Sequence, residues 1–178
     1  MKAITLFGLV IALSSISSAH GQDTTELNGI FTSLPDAGFE QHILVSPFNA
    51  GEGKAEINGE NYLAGTMSSD DKLLLENYFF WKEGSLSKAH CLSFPTQPTT
   101  LIAEIAASNG DDATAVTTSY RTASTYLDKR NAETLFPLPK YKTRQVLCVS
   151  NEGKHFPQTS ASIFFYNAQV GVIPMLKQ

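Results

Sequence analysis

Four histidines, four carboxylates in two adjacent pairs, two cysteines and two aromatic runs are the residues here whose types and places suggest chemistry. Acid–base cleavage by a small hydrolase such as a nuclease pairs a histidine with a carboxylate or a second histidine. His90, His155, Glu76 and Glu104 are the groups a sheet would have to bring together for that purpose, while His42 stands alone and His20 falls in the leader described below. No His-x-His or His-Glu-x-x-His spacing occurs, so the histidines do not read as metal ligands. There is no Gly-x-Ser-x-Gly, and Gly51-Glu52-Gly53-Lys54 lacks the length and the hydroxyl of a phosphate loop. No catalytic residue, metal or cofactor is assigned on this inventory, and its balance is against an enzyme. Asp70-Asp71 and Asp111-Asp112 supply oxygen atoms of the kind Ca²⁺ takes, but Asp, Asn and Gly are also what turns require for local reasons. The local reading is the one adopted.

The aromatic runs are more informative. Tyr78-Phe79-Phe80-Trp81 ends a predicted strand, Lys72–Trp81, and strand side chains alternate between faces. Tyr78 and Phe80 then point one way, Phe79 and Trp81 the other; Phe164-Phe165-Tyr166 poses the same geometry near the end of the chain. A half-exposed sheet needs only one apolar face. Either a second layer covers the outer aromatics as ordinary core, or one set meets solvent and forms a platform for a sugar or a protein. The candidate binding residues are Trp81, the only tryptophan, with Phe79, Tyr78 and Tyr166.

The N-terminus has the three parts of an export signal: Lys2, the uncharged apolar run Ala3–Leu13, and the small-residue tail Ser14–Gly21. Cleavage after Ala19 or after Gly21 fits this pattern. The apolar run is about half the roughly 20 residues a bilayer span requires, and no later stretch is long and apolar enough to cross a membrane. Residues 1–21 are therefore expected to be a signal peptide and residues 22–178 a single domain, secreted and extracellular. An oxidising compartment favours a Cys91–Cys148 disulfide. Closing a loop of that size stabilises a fold by about 4 kcal/mol in the chain-entropy model. No Asn-x-Ser/Thr sequon is present, so the surface carries no N-glycan. The net charge is −4, and Lys129-Arg130 is the only adjacent pair of basic residues. That scatter excludes the phosphate-backbone footprint of a nucleic-acid binder.

The elements that must position these groups read mostly as strands and turns. Residues 22–41 suggest a short helix or irregular lead-in, broken by Pro35-Asp36-Ala37-Gly38. Ile43–Phe48 is a short strand. Asn58-Gly59 between Lys54–Ile57 and Glu60–Met67 is a strong hairpin signal, because both turn positions need φ > 0. Leu86–Phe94, Leu101–Ala107, Ala113–Tyr120, Arg144–Ser150, Ser160–Tyr166 and Gln169–Leu176 complete the strand set, with residues 121–134 readable as helix or strand. Short strands separated by turns at intervals of about ten residues predict an all-β fold. The expectation is an antiparallel β-sandwich, with a closed eight-stranded β-barrel as the alternative, one disulfide and at most one or two short helices.

Three functions suit that description. The first is a secreted, disulfide-stabilised binding or interaction module for an extracellular or host-derived protein or glycan, a class that includes many secreted effectors. The second is a lipocalin-like carrier of a small apolar ligand, although no Gly-x-Trp stands near the first strand. The third is the small secreted hydrolase already considered.

Overall fold

The Asn58-Gly59 turn forms as expected, with φ of 51° and 87° at its two residues, and joins β3 (Glu52–Ile57) to β4 (Glu60–Thr66). It is one link in an up-and-down meander. The computed structural model describes residues 25–178; the expected leader and its two cleavage points lie outside the described residues. The remaining strands are β1 (Gly29–Ser33), β2 (His42–Val45), β5 (Ala89–Pro95), β6 (Arg144–Ser150), β7 (Ile163–Asn167) and β8 (Gly171–Lys177). Each pairs antiparallel with its sequence neighbours, and β1 closes on β8 with Phe31 opposite Lys177 and Ser33 opposite Met175. The protein is thus the closed eight-stranded barrel, not the sandwich. Closure rests on β1, which falls where the sequence suggested a helix or irregular lead-in. Five residues with only Phe31 fully buried make a weak alternation signal.

An eight-stranded barrel has an interior just wide enough for side chains to fill. Here Phe31, Ile43, Leu92, Phe94, Leu147, Phe165, Ile173 and Met175 occupy it, all at most 2% exposed. The outside is uneven. β2 alternates exposed and buried residues, whereas β5 and β6 are buried at nearly every position. Continuous burial of this kind marks strands covered on both faces.

Two outer layers provide the cover, and they come from segments expected to be strands, except residues 121–134, which are readable as helix or strand and form most of α4. Helix α1 (Ser69–Tyr78) lies over β5 and β6, and α2 (Thr99–Ser108), α3 (Ala113–Val116) and α4 (Tyr120–Ala132) form a cap over β4. Four helices exceed the one or two anticipated. The causes are local. Ser68 caps α1 by accepting from the Asp71 N–H, Asp112 caps α3 through Thr114 and Ala115, and Ser119 caps α4 through Thr122. Leu101–Ala107 is among the expected strands, yet its buried residues Ile102 and Ala106 stand four apart, the helical spacing.

The cap seats on β4 through one glycine. A Cβ on Gly65 would stand 2.2 Å from Cδ1 of Tyr120, the first residue of α4. That contact is with a ring held at a helix start, so it cannot be relieved by a small side-chain swing. Gly65→Ala should cost about 1–3 kcal/mol of stability by overpacking. Tyr120→Ala in the same chain should recover part of that loss, a non-additivity that urea unfolding of the two singles and the double will measure.

Candidate functional site

The aromatic run places its rings in a buried layer. Tyr78 ends α1, Phe79 caps it, and Phe80 turns the chain with φ of 55°. Trp81 is 7% exposed, stacks on Phe156 with centroids 6.2 Å apart and meets Phe164 edge-on at 5.5 Å. Phe79 packs edge-on to Tyr166 at 5.1 Å, and Tyr78 stacks on Tyr141 at 4.0 Å. On β7, Phe164 and Tyr166 face outward into this layer while Phe165 faces the barrel interior. Trp81, Phe79, Tyr78 and Tyr166 are therefore brought together, as a stacked cluster on the outer wall of β5–β7. Trp81 and Tyr166 are buried in it; Tyr78 and Phe79 reach its half-buried edge, and the ring left in water is Phe80, 93% exposed. Burial, reinforced by Tyr78 and Tyr141, pushes the Tyr166 hydroxyl well above the usual tyrosine range, so it stays neutral.

Cys91 and Cys148 face each other across β5 and β6, with Cα atoms 4.2 Å apart, and form the expected disulfide inside the same outer cluster. The histidines do not converge. His90 has the parity of Leu92 and Phe94 and so faces the barrel interior at its end, 4.0 Å from the Glu26 carboxylate. His155 is exposed on an outer loop beside Lys88 and Glu152. Glu104 is exposed on α2. Glu76 is buried and accepts from the Gly84 and Leu86 N–H groups. Among the described residues no group of three or more His, Cys, Asp or Glu side chains is arranged to hold a metal ion.

Three of the four side chains in the acidic pairs have partners within the protein. Asp112 caps α3, and Asp111 accepts from the Tyr126 hydroxyl at 2.9 Å. Asp71 pairs with Lys140 at 2.6 Å. Burial raises the Asp71 carboxyl, but the hydrogen bonds from Lys140 and Ser68 with the charges of Lys140 and Arg144 outweigh it, and the net shift is downward. Glu152 bridges Lys154 and Lys88, whose hydrogen bonds and charges hold its carboxyl at about 2 instead of 4.5. A depressed folded-state pKa means that this anchor is fully formed above pH 4.5 and is lost as the pH falls through about 2. Carboxyl-carbon chemical shifts should show that low midpoint for Glu152, and Lys154→Met should move it up toward 4.5.

The surface feature that sequence reading did not foresee lies on the helical cap. The turn Asn109–Asp112 and α4 border an open groove of about 690 Å³, into which Asp111, Arg121, Thr122, Thr125, Tyr126 and Arg130 converge. Its parts are tied: Arg130 lies 5.7 Å from the centre of the Tyr126 ring and 3.9 Å from Asp111, and the Arg121 N–H donates to Glu52 on β3. Carboxylate, guanidinium, hydroxyl and aromatic groups thus share one shallow wall. The Asn109-Gly110-Asp111-Asp112 turn was visible in the sequence. Its partner surface was not, because α4 carries no motif and its place over β4 is tertiary.

Set against known proteins, the chain matches no family model, no curated protein and no solved structure. What fold and surface define is a class: a disulfide-closed, antiparallel eight-stranded barrel with a filled interior and a helical cap bearing a polar groove. Among the described residues no helix is long and apolar enough to cross a membrane.

Proposed function

We propose that the protein is a secreted, disulfide-stabilised binding module, effector-like in character, that engages an extracellular or host-derived glycan or protein through its helical cap. The observation that carries this reading is the cap groove, where Tyr126 offers a ring face and Asp111, Arg121, Thr122, Thr125 and Arg130 offer donors and acceptors around it. A small set of convergent polar groups beside an aromatic is what fixes a polar ligand in a concave site. The export pattern of residues 1–21 and the disulfide support an extracellular setting. Tyr78 and Phe79, at the half-buried edge of the outer cluster, are a secondary contact surface, with Trp81 and Tyr166 supporting them from beneath.

The carrier reading needs a lumen, and the side chains packed inside the barrel take that volume. The hydrolase reading needs His90 and His155 on one cleft, and they lie on opposite sides of the barrel wall. The test is a glycan array together with a pull-down from cell-surface extracts, using residues 22–178 and a Tyr126→Ala/Arg121→Ala variant. The proposal expects a partner whose capture falls at least about tenfold in the variant with the thermal midpoint unchanged. Capture that is equal for both proteins places the contact elsewhere and sinks the groove reading.

A further inference from the structure

The loop that follows α4 presents apolar side chains to water in a fixed geometry. Leu135 is 86% exposed, Phe136 83% and Leu138 52%. The loop is braced at its base. The Asn131 side chain donates to the Leu138 carbonyl at 2.7 Å and accepts from the Leu138 N–H at 3.0 Å, so one side chain holds both ends. Thr134 donates its hydroxyl to the Asn131 carbonyl at 2.7 Å, and Pro137 and Pro139 fix two of the remaining φ angles. Burying a leucine and a phenylalanine is among the more favourable steps open to a folded chain. This loop instead leaves both largely in water.

The charge around the tip is just as particular. Between residues 129 and 142 stand Lys129, Arg130, Lys140 and Lys142; Arg130 pairs with Glu133 and Asp111 and Lys140 with Asp71, which leaves Lys129 and Lys142 without an ion pair among the described residues, in a chain whose net charge is −4. Lys129, Lys140 and Lys142 are exposed. A convex apolar tip bracketed by cations complements a layer that is anionic at its surface and fluid and apolar just beneath it. A protein partner would have to supply a matching pocket; a bilayer needs none. From the tip, its brace and its charge, we infer that Leu135, Phe136 and Leu138 insert into the outer layer of an anionic phospholipid membrane, with Lys129 and Lys142 against the headgroups. This mode is peripheral; Lys129 also borders the groove, but Leu135, Phe136 and Leu138 lie outside its lining, so the apolar-tip variant separates this proposal from the groove reading.

The experiment is co-sedimentation of residues 22–178 with vesicles of phosphatidylcholine alone and of phosphatidylcholine mixed with phosphatidylserine. Binding to the mixed vesicles is expected to exceed binding to the neutral ones by about tenfold and to weaken as salt is added. L135S/F136S should lose at least about tenfold on mixed vesicles, and K129E/K142E should lose the preference for them. In a second measurement, Phe136→Trp places a reporter at the tip. Its emission should be quenched by lipids brominated on their acyl chains, while Trp81, buried under the aromatic layer, is not. A protein that stays in the supernatant with both vesicle types overturns the inference and leaves the tip to a protein partner. So does L135S/F136S binding as the parent does, or an F136W emission that brominated lipid leaves unchanged.

Discussion

Reducing the bond between Cys91 and Cys148 is expected to lower the stability of the protein by about 4 kcal/mol, in the chain-entropy model for the 57-residue separation of the pair, and replacing both residues by alanine to lower it further. The cross-link joins adjacent strands that already pair over seven residues, from Ala89 opposite Ser150 to Pro95 opposite Arg144. In the native state it adds little order to β5 and β6. Its weight is in the unfolded chain, because the connection it closes contains α2, α3, α4, the groove residues and the apolar tip. The whole helical cap is thus one long insertion whose ends are covalently fixed. Denaturant unfolding of the oxidised protein, the reduced protein and the double alanine variant will separate the cross-link from the packing of the sulfur atoms. The first difference carries the entropic part, and the second carries the volume lost from the cluster of Trp81, Phe156 and Phe164. A loss below about 1 kcal/mol on reduction would mean that the unfolded chain keeps β5 and β6 near each other without the bond.

What could be read in advance follows from how local each signal is. Asn58-Gly59 announced its hairpin because a two-residue turn with positive φ at both positions is decided by those two residues. Cys91 and Cys148 announced their bond because they are the only two cysteines in a chain with an export pattern, whereas the β5–β6 pairing that brings them together carried no local signal. The helices failed the same test in different ways. Leu73-Leu74-Leu75 looks like the interior of a strand, and the information that makes it helical sits outside the run, in the Ser68 cap and its Asp71 partner. Ser-x-x-Asp at residues 68–71 is the capping signature that marks this helix start. Closure of the barrel depends on β1 meeting β8 across nearly the whole sequence, and no local pattern encodes that pairing. The aromatic run Tyr78–Trp81 posed the correct question, namely which layer covers the outer face of the sheet. The answer required knowing that the run itself is that layer: it leaves α1 and folds its rings back over β7. The groove was least legible of all, since Asp111 and Tyr126 are ordinary residues until α2, α3 and α4 pack over β4.

The largest effect of a single substitution outside the disulfide is expected at Glu76. This carboxylate is 3% exposed on the buried side of α1. It accepts from the N–H groups of Gly84 and Leu86, and so ties α1 to the segment that delivers Leu86 to the outer cluster. One helical turn earlier Lys72, also buried, donates to the Ala89 carbonyl at 2.7 Å. Burial pulls the Lys72 ammonium down from its ordinary value, and the charge of Glu76 opposes that pull. Glu76→Leu removes both acceptors at once and leaves a buried cation without its counter-charge, for an expected cost of about 3–5 kcal/mol. Glu76→Gln keeps one acceptor and should cost less, about 1–3 kcal/mol. The informative variant is Lys72→Met combined with Glu76→Leu. If the penalty of the single change is mainly the stranded ammonium, the double variant regains most of it. If it is mainly the orphaned N–H groups of Gly84 and Leu86, the double variant stays as unstable as Glu76→Leu alone. Hydrogen exchange at those two amides distinguishes the cases directly, since rapid exchange in both variants identifies the backbone hydrogen bonds as what holds the aromatic layer on the barrel.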